Sequence, residues 1–243
     1  MKIDQLSLNI NDKTLLHEIC FEVPPASLFA ILGPNGAGKT LLLRCLADLL
    51  SPSSGTILGR PEKLAWVPLS QALPFGFVVR DLVLMGRYSI HQGFAQAEDR
   101  RITDAAIHRI GIETLANRSY NSLSRGEQTK VDIARALASE SKLILLDEPF
   151  SNLDIDAALQ LTHLFHELRD DGKTLIFSHH DLHTLALLAT HGLLLKQGRI
   201  LQCGPLSEIF QASAIEEAYN VKAIFQQSGE HQFVRFESLS CRS

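Results

Sequence analysis

The sequence has no run of about 18 consecutive apolar residues, so no helix of the chain is expected to span a membrane. It has no excess of basic charge. Lys plus Arg number 23 against 27 Asp plus Glu, a formal net charge of -4 that gives no global attraction for nucleic acid. Cys20, Cys45, Cys203 and Cys241 lie far apart with no CxxC among them. The opening MKIDQLSLNI places Asp4, Gln5 and Asn9 where an export signal needs an apolar core, so the thiols are expected to be reduced and cytosolic. No period of about 20 to 50 residues repeats, and no low-complexity run occurs.

What is present is ordinary for a globular chain: 45% hydrophobic and 21% charged residues, enough to close a core without disulfides or metal clips. The 243 residues amount to about 1.6 domains at roughly 150 residues each. The first 32 residues read as strands, with a turn at Asn11-Asp12 and the short apolar run SLFAIL ahead of a Gly-rich loop. KTLLLRCLADLL, from Lys39 to Leu50, reads as a buried helix ended by Ser51-Pro52-Ser53-Ser54-Gly55, and LAWVPL as a strand. From Val79 to about Arg118 helix formers dominate. Alternation then resumes with a helix near Glu127–Ser139, the strand KLILL, a helix near 155–170, the strand TLIFSHH, a helix from Asp181 and a hairpin turning at Gln197-Gly198. SEIFQASAIEEAYN reads as helical, and QFVRF is a candidate strand within an otherwise unplaced polar end. Alternating strands and helices predict a mostly parallel sheet covered on both faces, with the helical block as an insertion.

Three segments carry chemistry. Gly33-Pro34-Asn35-Gly36-Ala37-Gly38-Lys39-Thr40 fits GxxxxGK[ST], between a strand and a helix. The glycines let backbone N–H groups turn inward on a phosphate chain, and the helix N-terminus adds its dipole. Lys39 is placed to reach the β- and γ-phosphates of a nucleotide, and Thr40 to bind Mg2+. LILL ends in Asp147-Glu148, where a parallel sheet presents its ligand groups: Asp147 is a candidate for the Mg2+ shell and Glu148 for the general base toward water. Leu123-Ser124-Arg125-Gly126-Glu127-Gln128 opens the helix before that strand, with Ser124 and the Gly126 N–H at a second anion-binding helix end. Ser124 with Glu127 also spells a capping box, which is compatible with either role.

LSRGEQ followed by KVDIARAL resembles the ABC signature. With the phosphate loop, Asp147-Glu148, the D-loop-like Ser151-Asn152-Leu153-Asp154 and the switch-like Ser178-His179-His180-Asp181, the ordered set is similar to an ABC transporter ATP-binding subunit from about residue 2 to 222. The resemblance implies an α/β P-loop NTPase fold of the ABC type: a mostly parallel sheet core, an antiparallel β subdomain and an inserted helical subdomain. It divides a single ABC ATPase domain, 1–243, into a RecA-like core (about 1–72 and 136–222), a helical subdomain (about 73–135) and a C-terminal tail (223–243). It implies ATP and Mg2+ as ligands, and a head-to-tail homodimer in which each signature closes on ATP held by the other subunit, the signature being remote from the phosphate loop of its own chain. It also implies permease subunits that cross the membrane, and through them a substrate-binding protein. The chain itself would sit in the cytoplasm against the inner membrane face, with no nucleic-acid partner. His180 aligns with the switch histidine at the γ-phosphate, and His179 is an adjacent rival. A metal site at His179, His180 and His183 lacks a fourth ligand.

Two positions depart from the family pattern. The adenine-stacking aromatic falls at about Ile10, which offers apolar area and no π face. The Q-loop glutamine position holds Leu69, with Gln71 two residues later as the substitute ligand toward Mg2+ and water. Arg125 and Glu127 replace Gly and Gln of the signature, whose serine and second glycine are intact. Val79–Tyr88 and AIEEAYNVKAI are similar to ATPases powering uptake of iron–siderophore, haem or cobalamin, with the zinc and manganese branch close to them. The alternatives that stay open are an ABC ATPase without a transporter, in assembly, repair or translation, and a non-catalytic nucleotide-binding regulator motivated by Leu69 and Ile10.

Overall fold

The computed structural model describes residues 1–69, 74–88, 94–151, 153–179, 188–209, 211–228 and 231–238, without the side chains of 225–228, 231–234 and 238. Strands β1 (Lys2–Ile10) and β2 (Lys13–Glu22) form an antiparallel hairpin, and β4 (Ser54–Leu58) pairs on the other side of β1. The hairpin turns at Asn11 and Asp12, whose φ values of 46° and 60° suit residues that tolerate the left-handed region.

The main sheet has six strands in the order β5 (Leu64–Val67), β6 (Leu143–Leu146), β7 (Thr174–His179), β3 (Leu28–Leu32), β8 (His191–Lys196) and β9 (Arg199–Pro205). All neighbours are parallel except β8 and β9, whose hairpin turns at Gln197 and Gly198. Its central strands are apolar at successive positions because both faces are covered. Leu28, Ala30, Leu32, Ile144, Leu146, Leu175 and Phe177 enter one core. The alternate residues Phe29, Ile31, Leu143, Leu145 and Ile176 enter the other.

The second core is closed by α1 (Lys39–Leu46), through Leu42, Leu43 and Leu46, and by the antiparallel sheet, through Ile3, Leu6 and Leu16. The first is closed by α2 (Val79–Leu84), α4 (Arg125–Ala138) and α5 (Ile155–Asp170). Phe165 of α5 meets Phe177 and Phe150 with ring centroids 5.7 and 5.3 Å apart, each pair edge-on. Helix α3 (Ala97–Ile110) packs on α4. Arg87, buried, ties this region together: its Nε donates to Asp99 Oδ1 at 3.1 Å, and its Nη1 to the Ala138 carbonyl at 2.9 Å and to Glu140 at 2.6 Å.

Helix α1 ends four residues before the expected Leu50, and the serine-rich stretch read as its terminator opens strand β4, whose polar, exposed sequence carries no alternation signal. The C-terminal helical stretch divides into α6 (Leu206–Ile209) and α7 (Ala212–Tyr219). A hairpin of β10 (Val221–Ser228) and β11 (His231–Ser238) follows, of which only the QFVRF part was legible. The helix expected from Asp181 lies outside the described residues. Among the described residues no helix is long and apolar enough to cross a membrane.

Candidate functional site

Strand β3 delivers Gly33 at the edge of the sheet, and the loop 33–38 returns the chain into α1. Gly33 has φ +143°, and a Cβ there would sit 2.1 Å from the Leu195 carbonyl oxygen. Only glycine fits so close to the neighbouring strand. Gly38, φ +106°, opens α1 with no side-chain cap, and no acidic residue stands in the first turn. The free N–H groups of that turn are therefore left to an outside anion. Lys39 is buried, with Nζ donating to the Gly33 carbonyl at 2.8 Å and the Pro34 carbonyl at 3.1 Å. Burial pushes its pKa below the ordinary lysine value, while Glu148 and Asp147 pull it back upward.

Strand parity places the acidic partner. Leu143 and Leu145 face α1, so Asp147, two residues on, faces it too. The Thr40 hydroxyl lies 2.9 and 3.1 Å from the two Asp147 carboxylate oxygens. Ser178, next to Asp147 in the β6–β7 register and fully buried, donates to Asp147 Oδ1 at 2.7 Å. Its oxygen also accepts the Glu148 N–H at 2.8 Å. Glu148 adopts φ 46°, a left-handed conformation unusual for a non-glycine residue, which turns it off the strand line. The Ser151 hydroxyl donates to Glu148 Oε2 at 2.9 Å. A hydroxyl and a carboxylate converging as hard oxygen donors fit Mg2+, which takes few protein ligands and completes its shell with phosphate and water.

Glu148 lines two cavities. One, of about 220 Å³, is formed with Asn35, Gly36, Gly38, Lys39, Thr40 and Leu41. The other, of about 140 Å³, is bounded by Leu69, Asp147 and Ser151 and by Arg125 and Thr129 from the first turns of α4. Neither Ser124, Gly126 nor Ile10 lines either cavity. The Ser124 oxygen accepts the Glu127 N–H at 3.3 Å, and Glu127 accepts the Ser124 N–H at 2.7 Å, a complete capping box. That backbone bond holds the Glu127 carboxyl below its ordinary value.

A model of the family "ABC transporter" matches residues 16–151, more than half of the chain. The chain belongs to the ABC transporter family. It is an ABC ATPase domain, an ATP-binding and ATP-hydrolysing unit. The manganese transport system ATP-binding protein MntB of Halalkalibacterium halodurans is 33% identical to it, over 90% of this chain and 91% of that protein. The ferric enterobactin transport ATP-binding protein FepC of Escherichia coli is also 33% identical, over 91% and 87%. A solved structure of an ABC transporter assigned to the metal-chelate type, in an inward-facing conformation, aligns with TM-score 0.89 at 29% identity, covering 99% of this chain and 97% of that one.

In this ABC ATPase, Asn35, Gly36, Gly38, Lys39 and Thr40 of the Gly33–Thr40 loop come together with Asp147 and Glu148 around the two cavities. Ser124 and Gly126 stand at the start of α4, where a Cβ on Gly126 would lie 3.2 Å from Leu153 of the D-loop-like segment. Ile10 ends β1, partly exposed beside the hairpin turn. His180 and Gln71 lie outside the described residues. His179 is buried with its ring 5.4 Å from that of Phe150, on the core side of β7. Ser178 and Ser151 stand inside the switch-like and D-loop-like motifs, where the sequence pattern marks neither as a site residue. Their roles follow from β6 lying beside β7 and from the turn after Glu148, neither of which residue spacing encodes.

Proposed function

We propose that the chain is the ATP-hydrolysing subunit of an importer for a metal ion or metal chelate, working as a homodimer beneath permease subunits that cross the membrane. The observation that carries the hydrolytic reading is the convergence of Thr40, Asp147, Ser178 and Glu148 beside the loop that ends in Lys39. In this reading the backbone N–H groups of Asn35, Gly36 and Gly38, with Gly33, Pro34 and Ala37 setting the loop shape, cradle the phosphates. Lys39 leaves the Gly33 and Pro34 carbonyls for the β- and γ-phosphates. Thr40 and Asp147 would hold Mg2+, with Gln71 as a further ligand; bound Mg2+ supplies positive charge against the phosphate oxygens.

Glu148 accepts a proton from the attacking water, held at the right angle by Ser151 on its carboxylate and Ser178 on its backbone. His180 contacts the γ-phosphate, and Ile10 packs on the adenine. Ser124 and the Gly126 N–H complete the site of a second copy, so each interface buries two nucleotides. The division into core (1–72 and 136–222), helical subdomain (73–135) and tail (223–243) assigns docking on the permease to the helical part. The chain then lies at the cytoplasmic membrane face without entering the bilayer.

For the cargo, the two relatives above carry names from the manganese and the ferric-chelate branches at equal identity, which supports the class metal ion or metal chelate. Reconstitution with its permease in vesicles tests the proposal: ATP-dependent uptake of Mn2+, Zn2+ or a ferric chelate is expected, and its loss in Glu148→Gln. ATP hydrolysis at an equal rate in wild type and Glu148→Gln would refute the hydrolytic reading.

A further inference from the structure

The C-terminal helix touches the phosphate loop at one point. The N–H of Gly33 donates to the Tyr219 hydroxyl oxygen at 3.1 Å, across 186 residues of sequence. Strand β3 ends at Leu32, whose sheet neighbours are His179 and Leu194, so the next N–H falls beyond its ladder. Gly33 is buried, and its unusual φ turns the chain away from the sheet. A buried backbone donor needs an acceptor, and the half-buried tyrosine supplies it. On the other side of the same residue, the Gly33 carbonyl accepts from Lys39 Nζ at 2.8 Å.

Tyr219 is delivered to this place by a well-anchored helix. Ala214, Ile215 and Ala218 of α7 are buried in the core. Lys196 Nζ, at the end of β8, donates to the Glu217 carbonyl. Asn220, with φ 56°, ends the helix immediately after the tyrosine, and Glu216 Oε1 accepts the Ala223 N–H at 2.9 Å at the start of β10.

We infer that Tyr219 is a positioning residue for the phosphate loop, holding the first glycine in its binding-ready conformation and so giving the C-terminal segment control over nucleotide affinity. The inference rests on the reading of residues 33–40 as that loop. When Lys39 turns from the loop carbonyls to a phosphate, the hold on the Gly33 carbonyl is lost. The Tyr219 bond is then what keeps the Gly33 peptide in place, and without it part of the binding energy goes into ordering the loop. The effect falls on binding more than on the hydrolytic step, because Tyr219 bonds the first glycine of the loop, whereas Asp147 and Glu148 are held by Ser178 and Ser151.

The test is Tyr219→Phe, which removes the hydroxyl and keeps the ring, measured in the full chain by ATP titration, hydrolysis kinetics and thermal melting. Lys196→Met serves as the comparison, since it loosens α7 without touching Gly33. Tyr219→Phe is expected to raise Kd and KM for ATP about three- to tenfold with kcat within about twofold of wild type, and Lys196→Met to leave Kd unchanged. An unchanged Kd in Tyr219→Phe overturns the inference, as does an equal rise in both variants, which would assign the effect to helix docking. Lys39→Ala separates the two levels. If it abolishes ATP binding while Tyr219→Phe binds normally, the inference alone fails; if Lys39→Ala binds ATP as well as wild type, the phosphate-loop reading fails and the inference with it.

Discussion

The Thr40 hydroxyl lies within 3.1 Å of both carboxylate oxygens of Asp147, although 107 residues of chain separate them. Each side chain comes from the C-terminal edge of the parallel sheet, one by way of the loop after β3 and one directly from β6. Exchanging Asp147 for Asn keeps the shape and removes the charge. ATP hydrolysis is expected to fall by about 100-fold or more with the fold intact, read by steady-state kinetics at saturating Mg2+ beside a thermal melt.

Ser178 links the two acids, donating to Asp147 and accepting from the Glu148 backbone. Ser178→Ala leaves the half-buried Glu148 N–H without this acceptor. It should lower kcat about 10- to 100-fold and destabilise the fold by about 1–3 kcal/mol. Activity and urea unfolding measured on one preparation check both numbers, and wild-type activity in this variant would remove Ser178 from the site.

Glu148→Gln keeps the shape of the carboxylate but cannot take a proton at neutral pH. Hydrolysis is expected to drop by about 100- to 10,000-fold while ATP still binds. Because binding without turnover preserves the closed state, size-exclusion chromatography of this variant with ATP and Mg2+ should show a dimer that wild type shows less of. A monomer at every ATP concentration would count against the paired arrangement.

Arg87 and Asp99 form a buried pair in the helical region, and Asp99 also accepts the Gln96 N–H at 2.9 Å. Removing Asp99 leaves a buried guanidinium whose other partners among the described residues are the Ala138 carbonyl and the more exposed Glu140. Asp99→Ala is therefore expected to cost about 3–5 kcal/mol, read from the urea midpoint. A loss under about 1 kcal/mol would mean that Glu140 and the Ala138 carbonyl suffice for Arg87.

The Glu127 carboxyl is held below its ordinary value of 4.5 mainly by the Ser124 N–H, so the folded state favours its charged form. A depressed folded pKa contributes stability that is present above the unfolded value and disappears as pH falls through the folded one. Glu127→Gln should therefore flatten the acid limb of the stability curve below about pH 4.5, and Ser124→Ala should cost about 0.5–2 kcal/mol near neutrality. Chemical denaturation at several pH values separates the two effects.

The sequence by itself determined the parts that depend on neighbours along the chain. The Gly33–Thr40 loop, the capping box at Ser124 and Glu127, and the turns at Asn11-Asp12 and Gln197-Gly198 are local, and each is set by backbone freedom or a short-range hydrogen bond. The buried strands were legible too, because a sheet covered on both faces demands apolar residues at every position. Strand β4 and most of the terminal hairpin carry no legible signal, since polar edge segments are held by partner strands rather than by their own pattern. Tertiary structure alone decided that β6 lies beside β7 and β7 beside β3, and that α7 ends under the phosphate loop. Those choices bring Ser178 to Asp147, Thr40 to Asp147 and Tyr219 to Gly33, because strand order and helix docking are set by the closing of two cores across long stretches of chain, where spacing in the sequence carries no distance in space.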